Sequence, residues 1–254
     1  MSAPLHPELD PALFGEASVR DARFETRDRW VDLDNLPYTH PQKAVEFLHR
    51  QMNEEVLVME NAARNLAEFP EAEWEVRFWM ARQVADEARH AVAYRQALER
   101  RGGQVGGFPV LMFQYRVLSR VSTLIGRLAV QNRTFEADGL DAVTHAIEEA
   151  RANGDEDLVA QYQAQQADEV LHIKFANEYI HREIGRNPRS VLDMTRALTL
   201  ASRAFQAAWA GGGTNATRYG VATEARAQAG FSDGEIETAV RLSDVRRGVH
   251  STST

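Results

Sequence analysis

The sequence contains no cysteine, which excludes disulfides, thiolate metal sites and a cysteine nucleophile. It also has no apolar run near the roughly 18 residues that a membrane-spanning helix needs, and its mean hydropathy is −0.43. The stretch from Met1 to Pro7 has neither a basic region nor an apolar one, so we expect no signal peptide. Together these absences favour a cytoplasmic protein without a membrane partner.

Positive charge is also in short supply. The chain has 29 Lys and Arg against 37 Asp and Glu, and its formal net charge is −8. The arginines are spread along helical segments rather than clustered. Because phosphate binding depends on clusters of Lys and Arg, a nucleic-acid partner is disfavoured.

Strand-like alternation of apolar and polar residues is missing as well, which leaves helical periodicity as the main signal. Residues 1–38 carry four prolines and little periodicity, so we expect an irregular arm there. The helices expected after it span about 41–68, 71–101, 118–152, 156–183 and 189–210, and a last one opens at Ser232, with Glu235 at capping-box spacing. We predict an all-α fold with three parts: an N-terminal arm (1–38), a helical bundle (39–186) and a C-terminal helical extension packed on the bundle (187–254).

Two octapeptides in mid-helix repeat one pattern. Residues 83–90 read QVADEARH and residues 165–172 read QQADEVLH, with identity at five of the eight positions. In each, a Glu and a His stand three residues apart, so both side chains leave the same helix face and can bind one ion together. These pairs are Glu87 with His90 and Glu169 with His172. Carboxylate oxygen plus imidazole nitrogen suits iron, manganese or zinc.

Hairpin geometry points to a third carboxylate. In an antiparallel helical hairpin, residues at one level are about equidistant from the turn. The break at Phe69-Pro70 therefore places the partner of Glu87 near 54–55, where two glutamates stand. Only Glu55 falls in the apolar stripe of its helix, where an unpaired charge would be costly. Glu55 is thus the candidate ligand, and Glu60 is the reserve.

The second hairpin supplies a fourth carboxylate in the same way. Its turn at Asn153-Gly154 places the partner of Glu169 near 138, and Glu136 is the nearest glutamate in the apolar stripe. The separations then match, with 32 residues from Glu55 to Glu87 and 33 from Glu136 to Glu169. Two hairpins with one ligand spacing are what a pseudo-twofold di-metal site requires.

The segment EEVLVMEN around Glu55, the two Asp-Glu-x-x-His motifs and the segment FEADGLD from Phe135 resemble the ferritin-like di-iron carboxylate superfamily, and most of all a poorly characterised bacterial branch of it related to non-haem di-iron oxygenases. The resemblance covers about 41–184. It implies a ferritin-like four-helix bundle with one crossover connection plus additional C-terminal helices. It also implies two Fe ions (Fe2+/Fe3+), with Mn or mixed Fe/Mn compatible. The ligands it implies are Glu55, Glu87, His90, Glu136, Glu169 and His172.

Further residues are expected around the ligands, two from the resemblance and five from their positions on inward helix faces. Asp86 and Asp168 match a position at which the family commonly has an Asp that hydrogen-bonds a ligating His of another helix. Gln83, Gln165 and Asn132 lie on inward faces, where contact with a ligand or substrate and a purely structural role are both open. Tyr94 and Tyr162 face the stripe as core, pocket or electron-transfer residues. Amine N-oxygenases have a His at the position of Gln165, so their specific chemistry is not carried over.

A ferritin-like crossover would join the second and third helices, which then run parallel. The second helix extends about 14 residues past Glu87 and the third needs a similar lead before Glu136, so at ~1.5 Å per residue the connection must span ~45 Å. The eight residues 102–109 cannot do so at ~3.4 Å each. We therefore expect 102–117 to be largely extended and the third helix to begin near 118.

Three hypotheses for function follow from the resemblance. The first is a non-haem di-iron oxidase or monooxygenase that uses O2 and an external electron donor to oxidise a small organic substrate, by hydroxylation, N-oxygenation, desaturation or oxidative cleavage. The second is a ferroxidase or iron-storage protein. The third is a tRNA hydroxylase or a manganese catalase, although the lack of a basic patch counts against tRNA. A homodimer is compatible with this sequence.

Overall fold

The computed structural model describes residues 10, 12–33, 36, 40–209 and 219–247. The expected end of the fifth helix at residue 210 lies outside these residues, as do 1–9 and 248–254. Within the described ranges, no helix is both long enough and apolar enough to cross a lipid bilayer.

Helices dominate the described ranges, and the all-α prediction is confirmed. In chain order the elements are β1 (Thr26–Arg27), a 3-10 turn (Trp30–Asp32), α1 (Lys43–Glu68), α2 (Trp74–Arg100), β2 (Val110–Leu111), α3 (Phe113–Leu118), α4 (Leu124–Val130), a π-helical segment (Gln131–Glu136), α5 (Ala137–Ala152), α6 (Glu156–Arg186), α7 (Ser190–Trp209), α8 (Thr223–Gln228) and α9 (Asp233–Arg247). The predicted ends of α1, α2, α6 and α7 lie within three residues of the observed ones. At α9, the backbone N–H and hydroxyl of Ser232 both donate to Glu235, as the capping box predicts.

Two helical hairpins form the centre of the molecule, since α1 packs along α2 and α5 along α6. The turn between α5 and α6 contains Gly154, whose φ of +70° is a left-handed conformation that glycine adopts without steric penalty. Asp155 then caps α6 by accepting a hydrogen bond from the N–H of Leu158 at 3.1 Å. The two hairpins meet where α2 contacts α6.

Buried apolar side chains lie on both sides of the level at which the two octapeptides meet. The cluster toward the α5–α6 turn includes Leu48, Leu98, Leu140 and Val159. The cluster toward the opposite end includes Met80, Leu128, Phe175 and Ile180. Each side chain of this size contributes roughly 1.5–3 kcal/mol when fully buried. The polar residues of the octapeptides are therefore enclosed between two apolar layers.

The connection between α2 and α4 differs from the expected one. The prediction that 102–117 is largely extended is wrong, because residues 113–118 form the helix α3. This helix is stabilised by Phe113, Val117 and Leu118, which pack into one cluster with the small residues of α7. The span argument fails because the whole connection runs from 101 to 123, which is long enough to cross the molecule and still contain a helical turn.

The third long helix also begins later than the predicted position near 118. It starts with α4 at Leu124, where Thr123 caps the helix by accepting a hydrogen bond from the N–H of Gly126 at 3.3 Å. The helix then continues through the π segment into α5. The lead before Glu136 is therefore 12 residues, close to the length that the ligand level requires.

Two short features, a β ladder and a helix, escaped the sequence analysis. β1 and β2 form a two-residue parallel ladder, with Val110 N–H donating to Glu25 O at 2.9 Å and Met112 N–H donating to Arg27 O at 2.8 Å. The six-residue helix α8 was also not predicted. Neither is long enough to show a periodic pattern. The ladder attaches the N-terminal arm to the connection after α2.

Candidate metal centre

Six ionisable side chains converge between the two hairpins. They are Glu55 on α1, Glu87 and His90 on α2, Glu136 at the end of the π segment, and Glu169 and His172 on α6. Each has at most 6% of its surface exposed. Their ligand atoms form two groups, and within each group all the atoms lie within 4.8 Å of one another. The groups are Glu55, Glu87, His90 and Glu169, and Glu87, Glu136, Glu169 and His172.

Both imidazole rings turn Nδ1 toward the carboxylates. The Nδ1 of His90 lies 3.0 Å from Glu87 Oε2 and 3.3 Å from Glu55 Oε2. The Nδ1 of His172 lies 3.1 Å from the other oxygen of Glu87, Oε1. Glu87 therefore presents one oxygen to each ring, and the ring centroids are 6.3 Å apart. A carboxylate in this position can bridge two cations.

The other ring nitrogen of each His meets an aspartate of the other octapeptide. His90 Nε2 lies 3.2 Å from Asp168 Oδ2, and His172 Nε2 lies 3.1 Å from Asp86 Oδ2. An Nε2–H that donates to a carboxylate leaves the lone pair of Nδ1 free for a metal and increases its basicity. The structure thus places both aspartates where the resemblance implies them.

Two arginines of α2 contact both aspartates from outside. Arg89 Nη2 lies 2.7 Å from Asp86 Oδ1 and 2.9 Å from Asp168 Oδ2. Arg82 lies 3.2 Å from Asp86 and 3.7 Å from Asp168. Although burial opposes ionisation, hydrogen bonds from His172 and Arg89 hold the pKa of Asp86 well below its usual range. The sequence analysis missed both arginines. Arg82 lies four residues before Asp86 and Arg89 three residues after it, so both contacts on α2 could be expected. Nothing in the sequence indicated that the two arginines also contact Asp168 of α6.

Gln83 and Gln165 occupy the same position of the two octapeptides and bind in mirrored ways. The Nε2 of Gln83 donates to Glu136 Oε1, and the Nε2 of Gln165 donates to Glu55 Oε1 at 2.8 Å. Each Nε2 also lies near the glutamate of its own octapeptide, at 3.4 and 3.5 Å. Each amide therefore links a carboxylate of one hairpin to a carboxylate of the other.

Asn132 anchors one of these amides. Its Nδ2 donates to Gln83 Oε1 at 3.0 Å, to Glu136 Oε2 at 3.1 Å and to the carbonyl oxygen of His172 at 3.2 Å. Asn132 and Glu136 both belong to the π segment, a local geometry that often marks functional sites. The hydroxyl of Thr134 satisfies the carbonyl oxygen of Ala129, five residues back, at 2.9 Å. The sequence analysis had no signal for this π turn.

Tyr94 anchors the other amide. Its hydroxyl donates to Gln165 Oε1 at 2.7 Å, and burial raises the pKa of Tyr94 well above its ordinary value, so the phenol stays a neutral donor. The ring of Tyr162 lies 6.2 Å from that of Tyr94, and burial raises the pKa of Tyr162 to about 12. Tyr162 therefore packs beside Tyr94, which in turn bonds Gln165.

The protein without a cation keeps protons in the cluster. Burial raises the pKa of Glu55, Glu136 and Glu169. Burial disfavours a charged imidazole, but hydrogen bonds to Glu55 and Glu87 outweigh it and raise the pKa of His90 to about 11. The pKa of His172 is also raised well above its ordinary value, because the facing carboxylates outweigh burial. Glu87 has a lowered pKa, since the two rings outweigh the effect of burial there.

The donor set fits two divalent cations. Four ionised glutamates carry four negative charges, which two such cations would neutralise, and buried carboxylates without this compensation are costly. Glu169 Oε2 is buried and has no hydrogen-bond partner within the described part of the chain, and the ring nitrogen His172 Nδ1 lies 3.7 Å from it. Such an atom is rare in folded proteins, and metal ligation would give it a partner.

Three other ionisable residues of α1 lie outside the cluster. Glu60, the reserve ligand, forms an ion pair with Arg20 of the N-terminal arm, so it is not in a ligand position. Glu54 accepts a hydrogen bond from the Nε2 of Gln114 at 2.9 Å on another side of α1. His49 is buried away from the site and accepts the N–H of Gly106 at 2.9 Å.

A groove of about 400 Å³ lies between α2 and α6 beside the cluster. Its wall includes His90 of the cluster, Gln165, which donates to Glu55, and Tyr94, which donates to Gln165. The groove therefore reaches the cluster from the side of His90. His172, by contrast, is fully buried and is not part of this wall.

Among curated proteins and among solved structures, none matches this chain. The model of a family described as "Protein of unknown function (DUF455)" matches residues 16–237. The matched region contains both octapeptides, all six residues of the cluster and most of the C-terminal helices. The chain therefore belongs to this family, DUF455, whose description assigns it no function.

Proposed function

We propose that the protein is a ferritin-like di-iron protein that uses O2 to oxidise a small organic substrate. The observation that carries this proposal is that the two groups of ligand atoms share Glu87 and Glu169. Carboxylates common to both groups draw two cations close together, which suits reactions in which two metals act on one molecule. Four glutamates and two histidines, arranged as two Glu-x-x-His pairs and two further Glu, form the ligand set of ferritin-like di-iron bundles.

The residues around the ligands fix them in place before a cation binds. Asp86 and Asp168 retain the Nε2 proton of the two rings, so that each Nδ1 faces the cluster. Gln83 and Gln165 fix one oxygen of each outer carboxylate. Apolar clusters on both sides exclude water from the ligand level. Bound iron would supply the redox chemistry, with electrons passing to O2 and an external donor restoring the ferrous state.

The groove beside His90 favours an organic substrate over iron storage. A volume of about 400 Å³ accommodates a small molecule. The groove reaches a ligand directly, so a bound molecule would have one end beside the metals. Mineral storage needs a path for cations and a hollow assembly, and it does not need a groove of this shape.

Anaerobic loading with Fe(II) followed by exposure to O2 tests the proposal. We expect two irons per chain and an O2 uptake, followed with an oxygen electrode, that stops once the bound Fe(II) is oxidised. Reductant should restore the uptake. Glu87→Ala should abolish iron binding and O2 uptake together, whereas Arg203→Gln, an exposed position of α7, should change neither.

The alternatives give different results in the same preparation. Iron taken up far beyond two per chain, in a large hollow assembly seen by mass measurement, would identify a ferroxidase or storage protein and contradict the proposal. Disproportionation of peroxide by the manganese-loaded protein, without O2 uptake by the iron form, would identify a manganese catalase and contradict it as well.

A further inference from the structure

The groove between α2 and α6 runs along both helices for about three turns. Its α2 wall has residues 89, 93, 96 and 100, and its α6 wall has residues 157, 160, 161 and 164, so each wall is one helix face. The helices are antiparallel here, because Arg89 pairs with Asp168 and Arg101 pairs with Asp155. The inner end lies at His90, and the outer end lies ten residues along α2, about 15 Å of helix rise.

Arg100 is the guanidinium of this groove that remains available to a ligand. It is exposed in the last turn of α2, and among the described residues no carboxylate lies within ion-pair distance of it. Arg89, also in the wall, is already engaged by Asp86 and Asp168. The outer end therefore offers a free, permanently charged donor group that matches a carboxylate.

The facing wall offers a second donor. The Nε2 of Gln161 is buried and has no hydrogen-bond partner in the described part of the chain. A buried N–H without an acceptor is destabilising, and an oxygen atom of a ligand in the groove would satisfy it. Arg100 on α2 and Gln161 on α6 can thus both donate to an oxygen acceptor at the outer half of the groove.

The middle of the groove is lined mainly by alanines. Ala93 on one wall and Ala160 and Ala164 on the other contribute only methyl groups. These side chains leave space between the helices without offering a polar contact. An unbranched apolar body fits such a space, and it would extend from the donors at the outer half to His90 at the inner end.

We propose that this groove binds an unbranched organic carboxylate, whose head group contacts Arg100 and Gln161 and whose far end lies beside His90. The residues of the groove are sufficient to support the proposed binding site. The role of the bound molecule as the substrate of the metal centre rests on the proposed function. The point of oxidation would then lie at the end of the chain remote from the carboxylate.

Titration calorimetry of the iron-loaded protein under anaerobic conditions tests this site with two probes, octanoate and octanamide, which have the same apolar body. Octanoate should bind more tightly than octanamide. Arg100→Gln should weaken octanoate binding about tenfold, the loss expected for a charge-assisted hydrogen bond, and should leave octanamide unchanged. Ala164→Leu should weaken both probes because it fills the groove. Arg203→Gln, the same change of charge on α7, should affect neither.

Two results would overturn the proposal. One is equal binding of octanoate to the native protein and to Arg100→Gln. The other concerns Asp157, the acid in the outer wall. Asp157→Asn should tighten octanoate binding because it removes a like charge, and weaker binding would mean that the head group is cationic or bound elsewhere.

The binding assay contains no O2, so its outcome is separate from that of the proposed function. If octanoate binds as expected while the iron-loaded protein takes up no O2, the groove remains a carboxylate site and the oxidase proposal fails. If O2 is taken up but octanoate does not bind, the carboxylate proposal alone fails.

Discussion

The two halves of the candidate metal centre have the same ligand types but different surroundings. In one half His90 lines the groove and Tyr94 anchors the amide of Gln165. In the other half His172 is fully buried and Asn132 of the π segment binds the corresponding amide. The repeated octapeptides account for the symmetry, and residues outside them account for the difference. The repeat therefore encodes the matching residues of the two halves, and its neighbours encode their different surroundings.

The largest expected effect is a difference in metal content between a variant of a glutamate shared by both halves and variants of glutamates that belong to one half. Glu87→Ala should remove both cations, because Glu87 belongs to both groups of ligand atoms. Glu55→Ala and Glu136→Ala should each remove one, since each belongs to a single group. Metal content per chain after anaerobic loading and gel filtration measures this. Loss of both cations in Glu55→Ala with retention in Glu136→Ala would show that the halves fill in sequence rather than independently.

The pH dependence of metal binding tests whether both histidine rings are protonated when no cation is bound. The pKa of His90 is raised to about 11 and that of His172 is also raised, so near neutral pH both rings are protonated without a cation. Each must lose its proton to bind, so the affinity for each cation should increase about tenfold per pH unit as the pH is raised from 6 to 8. Titration with Mn(II) at several pH values measures the slope. An affinity independent of pH would contradict protonated rings.

The two aspartates should have equal effects on opposite halves. Asp168→Asn should weaken the cation beside His90, and Asp86→Asn the cation beside His172, each by about 10- to 100-fold. The reason is that each substitution removes the charge that supports one ring. Competition with a chelator measures the affinities. Glu60→Gln is the matched control, because Glu60 is a carboxylate outside the cluster, and it should leave both affinities unchanged.

The smallest expected effect is the loss of stability when Asn132 or Tyr94, the residues that bind the two amides, is replaced. Asn132→Ala leaves several buried acceptors without a donor and should lower the free energy of unfolding by about 2 kcal/mol, whereas Tyr94→Phe removes one hydrogen bond and should cost about 1 kcal/mol. Urea denaturation of the metal-free protein measures both. A larger cost for Tyr94→Phe would mean that the half facing the groove is the more rigid one.

The six residues of the cluster could be predicted from the sequence because helical periodicity translates directly into position. The octapeptides gave two Glu-His pairs, and equal distances from two turns led to Glu55 and Glu136, which the structure brings to the same level. Helix bounds were also predictable where Pro70 or Gly154 interrupts the pattern. These signals come from the spacing of residues and from turn residues, so a single sequence is enough to show them.

Other features depend on contacts between distant segments. α3 forms because Phe113 and Val117 pack against α7, and the pairing of β1 with β2 joins residues far apart in the chain. The contacts of Arg82 and Arg89 with α6 depend on how the hairpins meet. The groove could not be predicted at all, since Ala93 and Ala164 look like ordinary residues of a solvated helix face. Sequence reasoning therefore found the residues of the cluster and missed the groove beside it.

The most direct test of the account is the number of cations that the native protein binds. Anaerobic titration with Fe(II), followed by metal analysis of the desalted protein, should give two irons per chain, and the Glu87→Ala variant should give none. A native protein that retains no iron, or a variant that still retains two, would contradict the claim that these buried carboxylates and imidazoles converge in order to bind a pair of metal ions.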